Sequence, residues 1–150
     1  MTQRPLFAYG TLQDSDILAA VLGRTVPASA LSSAALPGFS IVHYPGRAYP
    51  ALRARSGAVA EGTLIADLRS HDWSALDAFE GDEYRRQTLD VTTSGGPVSA
   101  ELYLPTRPIP GDAEPWTLAH WLLHHKPRVL AEEVALATAA RDGHPGYTDL

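Results

Sequence analysis

The stretch RQTLDVTTSGGPVSAELYL, from Arg86 to Leu104, reads as two strands folded back on each other. Arg86 to Thr93 and Val98 to Leu104 carry the residues that suit extended backbone. Between them Ser94-Gly95-Gly96-Pro97 supplies the turn residues that a reversal needs. This is the strongest hairpin signal in the chain, and it makes antiparallel pairing the starting point for the fold.

Toward the N-terminus the period changes. Trp73, Leu76 and Phe79 recur at spacing three, which predicts a helix capped by Ser70 or Asp72 and ended by Gly81. Val59 to Leu68 alternates as a strand interrupted by Gly62, a sign of a bulge or of close backbone approach. Phe39 to Tyr44 reads as extended after a Pro37-Gly38 turn, whereas Ala28 to Ala35 has no decisive period. Tyr44 to Leu52 holds two prolines and reads as a surface-facing loop. Leu6 to Tyr9 is a short strand closed by Gly10. Asp14 or Ser15 caps a helix whose apolar face is Ile17, Leu18, Val21 and Leu22, and Gly23 stops it.

Toward the C-terminus, Pro105, Pro108 and Pro110 mark a connector. A helix is expected from Glu114-Pro115 onward, with Trp116, Leu118, Trp121, Leu122 and Leu123 as its apolar mass and a break at Pro127. Val129 to Ala140 resumes as helix, and Gly143 to Gly146 reads as loop or frayed end. Strands outnumber helices, with neither a βαβ rhythm nor a repeat. The expectation is a single α+β domain over residues 1–150, a curved and mostly antiparallel sheet with helices packed outside it.

Composition narrows the function classes. The 150 residues carry a formal charge of −5, with 17 acidic against 12 basic side chains, and the arginines are dispersed. A phosphate backbone or an anionic membrane surface calls for concentrated positive charge, so neither is an expected partner. The absence of cysteine removes disulfides, thiolate catalysis and cysteine-bound metals. No apolar run reaches membrane-spanning length and the N-terminus has no adequate signal core, so a cytoplasmic location is expected.

Two local features carry chemistry. Glu80 follows the core residue Leu76 by four, so its carboxylate points at least partly inward, where burial raises its pKa toward a useful proton acceptor. The alternatives are a pairing with Arg85 or Arg86, or a place in a solvated helix end; the neighbouring Asp77 is expected to face water. Tyr9-Gly10-Thr11-Leu12 turns sharply after a strand, and successive N–H groups there can hold a carboxylate or an oxyanion. It lacks the longer glycine pattern and the lysine of a phosphate-binding loop.

Other residues weigh less. His120 and His124 are four apart on a helix, but no third ligand is evident and no glutamate follows His120, so solvent-facing histidines are the better reading. Ser40 lacks a glycine-flanked nucleophile elbow, and His43 falls on the opposite face of its strand. Tyr44, Tyr49, Tyr84 and Tyr103 are candidate pocket residues. Tyr103 is favoured because a strand positions it.

Taken together, Phe7 to Leu12, Tyr49-Pro50-Ala51-Leu52, Glu61-Gly62-Thr63-Leu64 and Leu76 to Arg86 resemble the gamma-glutamylcyclotransferase superfamily, in its AIG2-like branch. The resemblance implies a small mixed, mostly antiparallel β-barrel with peripheral helices. It implies Glu80 as general acid/base and the backbone at Gly10, Thr11 and Leu12 as holder of a gamma-glutamyl group. Tyr9, Tyr84 and Tyr103 join the substrate-binding set. The implied reaction is intramolecular acyl transfer that releases 5-oxoproline from a small gamma-glutamyl amine, amino acid or peptide, without metal or organic cofactor. The Trp116–Ala140 region resembles the helical extension of AIG2-like members, suited to covering the cavity, forming an oligomer contact or selecting the leaving group. Two other functions compete: a non-catalytic small-molecule binder that retains the pocket, and a structural interaction protein using Trp116 and Trp121.

Overall fold

The computed structural model describes residues 4–141. Five strands close into a barrel in the order β1-β3-β2-β4-β5: β1 Leu6–Ala8, β2 Leu31–His43, β3 Pro50–Ile65, β4 Tyr84–Thr93 and β5 Gly96–Pro105. Neighbours are antiparallel except β1 and β5, which pair parallel at Leu6 and Glu101. Four helices pack outside: α1 Ser15–Leu22, α2 Ser70–Glu80, α3 Leu118–His124 and α4 Lys126–Arg141. The α+β class, the mixed barrel and its peripheral helices agree with the sequence expectation.

The two faces of β1 serve two cores. Leu6 and Ala8 pack with Ile17, Leu18, Leu76 and Trp121 beneath the helices. Phe7 and Tyr9 point the other way, into the barrel with Leu36, Leu52, Leu64, Val91 and Leu102. A period of two along a strand makes this division possible. At Gly62 the expected close approach is present. A Cβ there would stand 2.4 Å from the Ala8 carbonyl oxygen and 2.9 Å from the Phe7 ring.

The hairpin pairs Arg86 with Tyr103 and Thr93 with Gly96, in the region read from sequence. Helix α1 begins at an Asp14 cap whose side chain accepts from the Ile17 N–H, and Gly23 ends it in the left-handed region. In α2 the cap is Arg69 rather than Ser70 or Asp72. Asp72 lies inside the first turn, where it accepts the Arg69 N–H at 2.9 Å. Its buried carboxylate also meets Arg24 at 2.7 Å. Burial opposes its ionisation, but the Arg24 hydrogen bond, the Arg69 N–H and the Arg24 charge outweigh that and hold the pKa below the usual range.

Five further expectations are corrected. Pro37-Gly38 is not a turn between elements; it is an irregularity inside β2, where the register shifts between Pro37 and Phe39 and Gly38 takes φ 86°. Residues 44–49 form the expected loop, with Gly46 and Arg47 exposed, but Tyr44 within it is fully buried, and Pro50, Ala51 and Leu52 belong to β3. The Glu114-Pro115 helix start is displaced: Pro115 bridges to Val42, and α3 begins only after the Thr117 cap. The break falls at His125, leaving Pro127 in the first turn of α4, where its missing N–H costs nothing. Trp116 and Trp121 are 6% and 2% exposed, which removes the reading in which they present an interaction surface. The Gly143–Gly146 tail lies outside the described residues.

Candidate active site

A cavity of about 440 Å³ opens where the end of α2 meets the exit of β1, a size suited to a small molecule. Its wall includes Tyr9, Gly10, Thr11 and Leu12 from the loop after β1, Glu80 from the last turn of α2, Tyr84 from β4 and Tyr103 from β5. Glu80, the Tyr9–Leu12 loop, Tyr84 and Tyr103 therefore line one space, and Tyr49 joins them, whereas Tyr44 lies outside it.

Glu80 is half-buried, and its accessible part opens onto the cavity. Among the described residues its carboxyl has no ion-pair or hydrogen-bond partner. Arg86 instead pairs with Asp77 at 3.6 Å and lies 4.7 Å above the Trp73 ring. Burial, and after it the charge of Asp77, push the Glu80 pKa up from an ordinary 4.5 to about 8. A carboxyl so placed exchanges its proton near neutral pH.

Three phenols surround this acid. Burial is the first cause holding Tyr9, Tyr84 and Tyr103 protonated well above the usual phenol range, and the charge of Glu80 adds to it in each case. Their protons are committed to protein acceptors. Tyr9 donates to the Tyr103 carbonyl, Tyr84 to the Pro50 carbonyl and Tyr103 to the Asp77 carboxylate at 2.7 Å. Each hydroxyl oxygen thus keeps acceptor capacity. Asp77, expected to face water, is half-exposed but fixes Tyr103 and loads charge beside Glu80.

The opposite wall is a tight turn. Gly10 precedes a 3₁₀ turn over Thr11–Gln13, closed by the Gln13 N–H to the Gly10 carbonyl at 3.1 Å. Among the described residues the N–H groups of Gly10, Thr11 and Leu12 have no hydrogen-bond acceptor. A Cβ at Gly10 would stand 2.7 Å from Pro50 Cγ, so glycine lets the turn sit against the start of β3.

The sequence reading missed the rest of the wall. In the 44–49 loop, Arg47 lines the cavity beside Tyr49, which the sequence had marked as a pocket candidate. The Tyr44 hydroxyl donates to the Glu83 carbonyl at 3.0 Å, Arg47 meets Glu83 Oε1 at 3.0 Å, and Trp116 Nε1 donates to the Ala48 carbonyl at 2.7 Å. Helix α4 also contributes wall residues, including Arg128 and Glu133, which no motif had marked. His120 and His124 are exposed, and among the described residues no group of three metal-ligating side chains converges. Nor is any described helix long and apolar enough to cross a membrane.

A family model described as Gamma-glutamyl cyclotransferase, AIG2-like matches residues 6–123. AIG2-like protein A of Arabidopsis thaliana is 29% identical over 130 residues, covering 83% of this chain and 76% of that protein. AIG2-like protein C of the same plant is 30% identical over 124 residues, covering 81% and 70%. A solution structure of an Arabidopsis thaliana protein superposes with a TM-score of 0.66 at 27% identity, covering 88% of this chain and 89% of that one. A solved gamma-glutamyl cyclotransferase shares the fold, with a TM-score of 0.57 at 17% identity over 69% of this chain and 67% of that one.

Proposed function

Because this chain belongs to the AIG2-like gamma-glutamyl cyclotransferase family, we propose that its cavity cyclises a small gamma-glutamyl compound to 5-oxoproline and releases an amine, amino acid or peptide. The observation that carries this reading is Glu80, a carboxyl poised near pH 8 in the same cavity as the Tyr9–Leu12 turn.

The reaction is internal to the substrate. Its α-amine nitrogen attacks the γ-carbonyl carbon, a C–N bond forms in the five-membered ring, and the C–N bond to the leaving amine breaks. Neither water nor an enzyme nucleophile enters the balance. Holding the chain folded so that amine and carbonyl meet supplies much of the rate, because the attack is already unimolecular. Glu80 in its carboxylate form accepts a proton from the α-nitrogen as that nitrogen, present as the free amine, closes the ring, and returns it to the departing nitrogen. The N–H groups of Gly10, Thr11 and Leu12 hold the glutamyl end or the developing oxyanion. The oxygens of Tyr9, Tyr84 and Tyr103, whose protons are engaged elsewhere, accept from the N–H groups of that amine.

The test is direct: purified protein is incubated with a panel of γ-glutamyl amines, amino acids and isopeptides, and 5-oxoproline is measured by mass spectrometry. Release from at least one class, at a rate proportional to protein, is the expected result. Saturable binding with no product from any class would sink the catalytic reading and favour a binding protein that keeps the pocket.

A further inference from the structure

Tyr9, Tyr84 and Tyr103 each commit a phenol proton to a protein acceptor, but the acceptors differ in kind. For Tyr9 and Tyr84 the acceptor is a backbone carbonyl, that of Tyr103 and of Pro50. For Tyr103 it is a side chain: the hydroxyl donates to Asp77 Oδ1 at 2.7 Å. Asp77 stands three residues before Glu80 on α2, so the two carboxyl groups are neighbours along one side of that helix. The second oxygen of Asp77, Oδ2, meets the Arg86 guanidinium at 3.6 Å, and Arg86 in turn lies 4.7 Å above the Trp73 ring. Of these four side chains, Tyr103 alone lines the cavity into which Glu80 opens.

The direction of the Tyr103 hydrogen bond matters for the chemistry. A free α-amine has two N–H donors and one lone pair, and the lone pair has to reach the γ-carbonyl carbon. A phenol whose proton turned inward would donate to that lone pair and occupy it. A phenol whose proton is held elsewhere can only accept, from one of the two N–H groups. The other N–H then meets Glu80, and the lone pair keeps the direction that remains.

We propose that Asp77 is a positioning residue for the cyclisation: it holds the Tyr103 proton out of the cavity, so that Tyr103 receives an N–H of the substrate's α-amine and the lone pair stays free to attack. This rests on the cyclotransferase reading and adds to it a residue that does not touch the substrate. A carboxylate suits the task because it has no proton to give back. As the C–N bond of the ring forms, the amine's other proton passes to Glu80 and from there to the departing nitrogen. The Tyr103 proton stays between Tyr103 and Asp77 throughout.

Asp77→Asn tests the direction of this bond with little change of shape. Arg86 retains the amide oxygen, which turns the Nδ2 donors toward Tyr103, and the phenol proton then swings into the cavity. Kinetics are measured at pH 9, above the Glu80 value of about 8, so that Glu80 is largely carboxylate in every variant. The probes are γ-glutamyl-propylamine, γ-glutamyl-alanine and ε-(γ-glutamyl)-lysine. Asp77→Asn is expected to lower kcat about 30-fold with KM within about twofold, because the reversed bond still binds the amine while blocking its attack. Tyr103→Phe removes an acceptor without blocking and lowers kcat about fivefold. The double variant matches Tyr103→Phe, so removing the phenol rescues most of the Asp77→Asn loss. A neutron structure of the deuterated wild-type protein reads the same bond without substrate, and the deuterium on Tyr103 Oη is expected to point at Asp77. A double variant as slow as Asp77→Asn or slower, an Asp77→Asn defect confined to KM, or a deuterium pointing into the cavity would each overturn the role of Asp77, while wild-type product keeps the reaction. No product from wild type with any of the three probes removes the reaction and the role of Asp77 with it.

Discussion

Glu80→Gln lowers 5-oxoproline release by about 10²–10⁴-fold, the usual contribution of a positioned proton-transfer group, and at the same time makes the folded protein more stable. The two effects share one cause. The folded-state pKa of Glu80, about 8, lies above its ordinary 4.5, so the folded chain holds this proton more tightly than the unfolded chain does. The associated stability is complete below about pH 4.5 and is lost as pH rises through about 8. At pH 7 the substitution removes a cost of about 3 kcal/mol, by integrating the proton linkage between those two values. Urea melts of both proteins from pH 4 to pH 9 read this directly. The gain is absent at the acid end, grows through neutrality and levels off above pH 8. Wild-type kcat/KM climbs over the same interval as the carboxylate form accumulates. A variant that loses activity and stability together would mean that Glu80 supports the fold rather than the reaction. A variant with undiminished product release would remove it from proton transfer.

Gly62→Ala destabilises the protein by about 3 kcal/mol, at the upper end for overpacking a rigid site. The added carbon would meet the Ala8 carbonyl oxygen at 2.4 Å and the Phe7 ring at 2.9 Å. The first of these is backbone in β1, which cannot swing aside as the end of a long side chain can. Relief therefore requires β1 to move away from β3, and β1 leads directly into the Tyr9–Leu12 turn. Product release falls as well, because the turn shifts relative to Glu80. Gly95→Ala is the matched control: the nearest atom to its new Cβ is Thr93 Oγ1 at 3.8 Å, and its melt stays within about 0.5 kcal/mol of wild type. A Gly62→Ala loss below about 1 kcal/mol would show that the strand contact yields easily.

The features legible in the sequence were those decided by neighbours along the chain. The hairpin of β4 and β5 is written in its own turn residues, and α1 in its Asp14 and Gly23 ends. That the sheet closes into a barrel came from the family resemblance rather than from periodicity, and the pairing of β1 with both β3 and β5 that closes it had no signal in the sequence. Pro37-Gly38 was misread because its residues are those of a turn, whereas the surrounding sheet absorbs them as a bulge. Proline and glycine rightly mark Tyr44 to Tyr49 as a loop, but that Arg47, Glu83 and Trp116 hold it as a wall depends on contacts distant in sequence.

Within the cavity, the inward turn of Glu80 followed from its spacing to Leu76, since one helical face is a local property. The Asp77–Tyr103 contact did not, and the α4 wall was one of three roles left open by the resemblance, because each depends on where an element lands in space. Asp77 shows the difference most clearly. Its neighbour Leu76 is buried, which by helical period points Asp77 outward, and outward on α2 happens to be toward Tyr103.

The central claim is that Glu80 moves a proton for a ligand gripped by the turn across the cavity. A crystal structure of the Glu80→Gln protein with a bound γ-glutamyl amine tests it most directly. The account predicts the residue 80 amide at about 3 Å from the α-nitrogen or the scissile nitrogen, with the glutamyl end on the N–H groups of Gly10 to Leu12. A ligand seated with both nitrogens beyond hydrogen-bond reach of that side chain would contradict it.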